Sequence, residues 1–256
     1  MEWNSILDNC SSRNHHYAIY TDGSYIKAQP TLFQVGCAFV VYRNSVEIHS
    51  ERFRLASQCS IFQAELFAIL EAVKWCNTNK CSACVYSDSQ SAVIAISDKY
   101  NLNPIASSVR KLITTGVAHV CISWVKGHIG IIGNEKADFL AKSAAQSDLP
   151  FSYSKCPLSY VKRTLKTCML HEWNELWTKS TNGNVTRQLY FPTIYDRLKC
   201  KNIVQNFVLS QFLSGHGKFT EYLYRFKLST SPTCSCGSET QNVHHLLFQC
   251  PLFSRE

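Results

Sequence analysis

Four carboxylates and one histidine carry the most suggestive chemistry in this sequence. Asp22 follows the run Tyr17-Ala18-Ile19-Tyr20-Thr21, and Asp88 follows Ala83-Cys84-Val85-Tyr86-Ser87, so each acid ends an apolar stretch of strand length. Glu65 lies in a segment where Phe62, Leu66, Ile69 and Val73 share a helix face, and Asp138 comes early in a second helical segment. His128 stands in a glycine-rich loop after Trp124-Val125-Lys126-Gly127. In α/β sheets, sites form beyond the strand ends. Four carboxylates converging there would repel one another unless cations sat among them, and oxygen donors of this kind suit Mg²⁺ or Mn²⁺. Two such ions can activate a water and stabilise a leaving oxygen in phosphodiester cleavage. The plainer alternative is four unrelated surface acids, since charged helix and loop residues are ordinarily solvated.

A second constellation closes the chain. Cys234-x-Cys236-x₈-His245-x₄-Cys250 offers three thiolates and an imidazole, the donor types of tetrahedral structural Zn²⁺. His244 is the neighbouring candidate, and His245 places Leu246, Leu247 and Cys250 in better order. The alternative is a set of buried free thiols. Cys81 and Cys84 form a lone C-x-x-C with no histidine or second pair close by, and read as structural.

The elements that must position these groups follow from pattern. Residues 17–22, 35–42 and 46–55 read as strands, with a tight turn near Arg43-Asn44-Ser45. A helix begins after Ser60, and residues 83–87 form a short strand followed by a helix over 89–96. Pro104 opens another helix through Ile113, and Val120, Ile122 and Trp124 mark a strand. In the last helix Asn134 is the expected N-cap, and Ala137, Leu140, Ala141 and Ala144 form the buried stripe. The result is an α/β domain with a mixed five-stranded sheet flanked by helices. Residues 150–155 read as a linker, and helical patterns follow over 158–177 and 202–213. Trp173 and Trp177 are expected in a core.

Composition sets the class. The chain has 256 residues, 45% of them hydrophobic and 17% charged, which marks a globular protein. Residues 1–148 hold 13 Lys+Arg against 12 Asp+Glu, and residues 149–256 hold 13 against 6. The basic second part fits a polyanion partner, nucleic acid, or a surface that only aids solubility. The 13 cysteines, no secretion signal and no apolar run of transmembrane length predict that most thiols are reduced in an intracellular protein, with no membrane partner.

The motifs resemble a known family. Tyr20-Thr21-Asp22-Gly23-Ser24, Gln63-Ala64-Glu65-Leu66-Phe67-Ala68-Ile69, Ser87-Asp88-Ser89-Gln90, and Trp124 to His128 with Asn134 to Asp138 look like the four motifs of type 1 ribonuclease H, in order. The resemblance implies that Asp22, Glu65, Asp88 and Asp138 hold two magnesium ions. It also implies that His128 assists proton transfer or product release, and that Gly23, Ser24, Gln90 and Asn134 meet the substrate. The implied reaction hydrolyses the RNA strand of an RNA–DNA hybrid, leaving a 3′-hydroxyl and a 5′-phosphate. Two departures stand out. Cellular members carry asparagines before the helix glutamate that read RNA 2′-hydroxyls, where this chain has Ile61-Phe62-Gln63. Their basic, Trp-rich protrusion is also missing, and only Asp98, Lys99 and Tyr100 occupy that stretch.

These substitutions look like those of ribonuclease H domains in retrotransposons without long terminal repeats. Gly215-His216, Cys234 to Gly237 and His245 to Pro251 resemble the zinc-binding segment that follows such domains. The expected organisation is therefore a ribonuclease H domain over 15–148, a basic helical connector over 149–229, and a CCHC zinc-binding tail over 230–256, cut short. An upstream reverse transcriptase is the implied polyprotein neighbour. The alternative is a catalytically dead, nucleic-acid-binding remnant of such an element.

Overall fold

Val35 to Val41 is the most continuously apolar stretch of the chain, and every one of its residues is buried in the computed structural model. It forms the middle of β2 (Phe33–Arg43), and a strand covered on both faces reads as an unbroken apolar run. The structure describes residues 16–27, 33–203 and 206–253. The amino-terminal stretch, including the expected domain start at residue 15, lies outside the described residues, as do the last three residues.

β2 pairs antiparallel with β1 (Tyr17–Lys27) on one side and with β3 (Val46–Leu55) on the other. Asn44 and Ser45 join β2 to β3 at φ of 50° and 63°, the positive values that a two-residue hairpin turn requires. β4 (Ala83–Ser87) lies parallel beside β1, and β5 (Val120–Trp124) lies parallel beside β4. The order is β5-β4-β1-β2-β3-β6, six strands where five were expected. The sixth, β6 (Phe151–Tyr153), falls inside the expected linker and pairs parallel with the end of β3. Ala56 donates its backbone N–H to Tyr153 O at 2.9 Å, and the Gln63 amide donates to Lys155 O at 3.1 Å. The Arg54 guanidinium lies 4.9 Å from the Phe151 ring centroid. Residues 150–155 are thus tied to the sheet and do not act as a linker.

Helix α1 (Ile61–Thr78) opens on a reciprocal cap: Ser60 Oγ accepts from Gln63 N, and Ser60 N donates to the Gln63 side chain. It packs on β1 and β2 and against α3 (Pro104–Thr115), so Gln63 to Leu70 are buried all round the helix and not along one stripe. The short α2 (Gln90–Ser97) joins the same apolar core. Helix α4 (Ile132–Gln146) packs on β1, β2 and β3, with Ala137, Ala141 and Ala144 fully buried and Leu140 half-buried. Asn134 does not cap it. The helix begins two residues earlier, at Ile132, and the Asn134 side chain is turned to another use.

The chain divides into two compact units, Met1–Val161 and Lys162–Glu256. The second is built from α5 (Leu158–Lys179), which begins just before it, then α6 (Asn184–Leu189), α7 (Ile194–Lys199), α8 (Phe207–Ser214), α9 (Thr220–Arg225) and α10 (Val243–Phe248). Trp177 is half-buried and donates its indole N–H to Phe191 O at 3.0 Å. Trp173 is not the core residue expected: it is 52% exposed, because no residue of α5 is buried. Among the described residues no helix is long and apolar enough to cross a membrane.

Candidate active site

Register brings the first two carboxylates together. The parallel pairing of β1 with β4 ends at Thr21↔Ser87, so Asp22 and Asp88 are the next residue on each strand. Sequence pattern stops the first strand at Asp22, but β1 runs on to Lys27 because β2 pairs with its full length. Asp22 therefore sits mid-strand, just past the end of β4. Gly23 lets α1 approach: a Cβ there would lie 2.7 Å from the Glu65 backbone nitrogen. That contact sets Glu65 beside Asp22. Oxygens of Asp22, Glu65 and Asp88 all lie within 4.8 Å of one another.

The electrostatics of this cluster are those of crowded, dry carboxylates. Asp22 and Glu65 are 6% and 7% exposed, and Asp22 Oδ2 and Glu65 Oε2 are buried without any hydrogen-bond partner. Burial, with the charges of Asp88 and Asp138, pushes the Asp22 carboxyl up to about 8. Burial, then the charges of Asp22 and Asp88, raises Glu65 well above the usual carboxylate range. Two orphaned oxygens facing like charges form a set that is incomplete as protein alone. A divalent, oxygen-seeking cation fits it.

Asp88 is held differently. Asn134, 1% exposed, donates its amide to Asp88 Oδ2 at 3.1 Å, and Trp124 donates its indole N–H to Asp88 O at 3.0 Å. Val125 N donates to Ser87 O at 3.0 Å, which fixes the start of the loop against β4. A Cβ at Gly127 would come within 2.6 Å of Asp88 Oδ2, so any side chain there would push the Asp88 carboxylate aside. Trp124 ends β5 as expected; it is 48% exposed and anchors the Asp88 backbone. Asp138 is the fourth acid. Its charge acts on Asp22 and Glu65, but its Oδ2 accepts from Lys142 Nζ at 2.6 Å, and it stands outside the three-carboxylate group. His128 is exposed at φ 55° in the loop between β5 and α4. Ser24 is buried on β1, and Gln90 is exposed at the start of α2. The missing protrusion is visible as a short loop from Asp98 to Asn103, to which Arg110 donates at Asn101 O.

The tail forms a second cluster. Cys234, Cys236, His245 and Cys250 present donor atoms within 4.8 Å of one another. Cys234 Sγ lies 3.7 Å from Cys250 Sγ, and Cys236 Sγ lies 3.3 Å from His245 Nε2. The Cys236 thiol is pulled down to about 6, first by the backbone N–H of Ser238. His245 is 1% exposed and points inward from α10, whose N-cap Asn242 accepts from His245 N at 2.8 Å. His244 is exposed, with Nδ1 3.3 Å from Gln249 Oε1 and its ring 5.3 Å from Phe248. Soft donors at this spacing fit Zn²⁺.

The family model for RNase H matches residues 14–146, just over half of the chain. The chain belongs to the ribonuclease H family. A Pol polyprotein from type-1 retrotransposable element R1 4 of Nasonia vitripennis is 38% identical over 82 residues, which is 32% of this chain and 21% of that protein. The corresponding R1 polyprotein of Bradysia coprophila is 30% identical over 95 residues, 37% of this chain and 9% of its own length. That of Popillia japonica is 24% identical over 197 residues, 77% of this chain and 78% of that protein. The chain thus spans about a fifth or less of the first two relatives. Among solved structures, the PFV RNase H domain in solution aligns at a TM-score of 0.46 and 22% identity, covering 53% of this chain and 97% of that one. The ribonuclease H fold here is an α/β mixed sheet with helices, and its relatives are retrotransposon Pol polyproteins.

Proposed function

We propose that this ribonuclease H domain hydrolyses the RNA strand of RNA–DNA hybrids, with Asp22, Glu65, Asp88 and Asp138 holding two Mg²⁺ or Mn²⁺ ions. The observation that carries the reading is the buried carboxylate cluster with two unpartnered oxygens, Asp22 Oδ2 and Glu65 Oε2. When bound, the ions supply an activated water and charge stabilisation of the leaving oxygen. The protein's share is positional. Asn134 fixes the Asp88 carboxylate and Trp124 its backbone, which holds that acid beside Asp22 and Glu65. His128, exposed on its loop, moves a proton at the reacting phosphate or helps the product leave. Gly23, Ser24 and Gln90 are the proposed substrate contacts around the cluster, while Asn134, buried and bonded to Asp88, serves to hold that carboxylate. Cys234, Cys236, His245 and Cys250 hold a structural Zn²⁺, and the basic region over 149–229 supplies phosphate contacts in place of the missing protrusion. A reverse transcriptase upstream is the proposed neighbour, since the relatives are Pol polyproteins.

The test is a panel of end-labelled substrates given to the full chain with magnesium and, separately, with chelator. The expected result is internal cleavage of the RNA strand of the hybrid, with magnesium only, and no cleavage of duplex DNA. Folded protein that binds hybrid without cutting it would make the chain a nucleic-acid-binding remnant. Cleavage of duplex DNA would place it in another polynucleotide chemistry.

A further inference from the structure

We infer that Lys142 is a resident cation at Asp138, which the weaker-bound metal ion must displace, so that this lysine sets the divalent-ion concentration the site requires. The inference rests on the four-carboxylate reading above. Asp22, Glu65 and Asp88 face one another within 4.8 Å, and two of their oxygens are buried with no partner. Among the described residues no lysine or arginine is paired with these three acids. Asp138 differs: Lys142 Nζ lies 2.6 Å from its Oδ2. The two residues are four apart on α4, so the helix itself keeps ammonium and carboxylate adjacent. The ammonium acts beyond its partner, since its charge is also felt at Asp22.

Two consequences follow. The first ion binds to Asp22, Glu65 and Asp88, where no protein cation competes. A second ion that needs Asp138 meets a like charge on the same oxygen and binds more weakly. The Lys142 side chain is 54% exposed, and exposed ion pairs of this kind are weak, so the lysine can yield as the ion concentration rises. Lys142 is thus a positioning residue for Asp138 and a competitor for its ion.

Manganese titration of the full chain tests this, with the tail preloaded with zinc and free Mn²⁺ followed by electron paramagnetic resonance and calorimetry. Wild type should show a tighter and a weaker site. Lys142→Ala should tighten the weaker site about three- to tenfold and the tighter one by much less. Lys142→Arg should keep the wild-type values, and Asp138→Asn should lose the weaker ion. Two ions bound with constants unmoved by Lys142→Ala would overturn the inference and leave the metal reading standing. No manganese bound by any variant would overturn both.

Discussion

The carboxylates come from four separate segments between Asp22 and Asp138, while the thiols and imidazole of the tail come from one stretch between Cys234 and Cys250. The first set is brought together by a six-stranded sheet and the two helices that pack on it, over a separate apolar core. In the second, the buried residues of the stretch are Cys234, Val243, His245 and Cys250, so three of four are candidate ligands. In the ribonuclease H domain the fold positions the candidate ligands. In the tail, on the zinc reading proposed above, the ligands and their metal would position the fold. The cost of removing metal should therefore fall on different properties: chemistry in one case, structure in the other.

The largest expected effect separates the two directly. With strong chelator, amides over residues 230–253 should lose hydrogen-exchange protection, while those of the sheet over 17–146 keep theirs. His245→Ala and Cys236→Ser should do the same locally, and His244→Ala should be mild. A tail that stays protected with no zinc in elemental analysis would break the comparison.

Within the nuclease half, the carboxylate cluster should cost stability when metal is absent. The folded pKa of Asp22, about 8, lies above its ordinary 3.8, so the folded state keeps a proton that the unfolded chain gives up. The stability this contributes is full below 3.8 and is lost as pH rises through about 8. In chelator, Asp22→Asn should therefore gain on wild type by a few kcal/mol over that window in thermal melts, and magnesium should close the gap. No divergence between the two proteins would mean that the carboxylates are not crowded in solution. His128→Ala should slow cleavage by on the order of 10²-fold without changing metal affinity, because it moves protons and holds no ion. A matched loss of manganese binding would make His128 a ligand instead.

The smallest effect concerns the basic region. Residues 155–201 carry nine Lys+Arg against three Asp+Glu. A chain ending at Cys156, which keeps β6, should fold and cut, but bind hybrid with a shallower salt dependence, by about one unit of slope per lost phosphate contact. An unchanged slope would move those contacts elsewhere.

The sequence already showed most of this architecture, for identifiable reasons. β3 and β4 keep their expected bounds, since the Asn44-Ser45 turn fixes the start of one and Asp88 follows the end of the other. β6 was hidden: Phe151-Ser152-Tyr153 is too short to show a period, and only the β3 edge makes it a strand. Residue types alone revealed the four acids, but not the Thr21↔Ser87 register that sets two of them side by side. Asn134 was misread because a cap and a carboxylate clamp call for the same amide, and only distance separates them. Lys142 stands one helical turn from Asp138 in the sequence, but only the structure puts its ammonium on that carboxylate.

The central claim is that the fold presents these carboxylates for metal-dependent hydrolysis. Single-turnover cleavage of a labelled RNA–DNA hybrid, at saturating protein and millimolar magnesium, tests it most directly in wild type and Asp88→Asn. Asparagine keeps the shape and removes the negative charge, so the rate should fall by at least ~10³-fold while hybrid affinity and thermal stability hold. Asp88→Asn cutting at near wild-type rate would contradict the account.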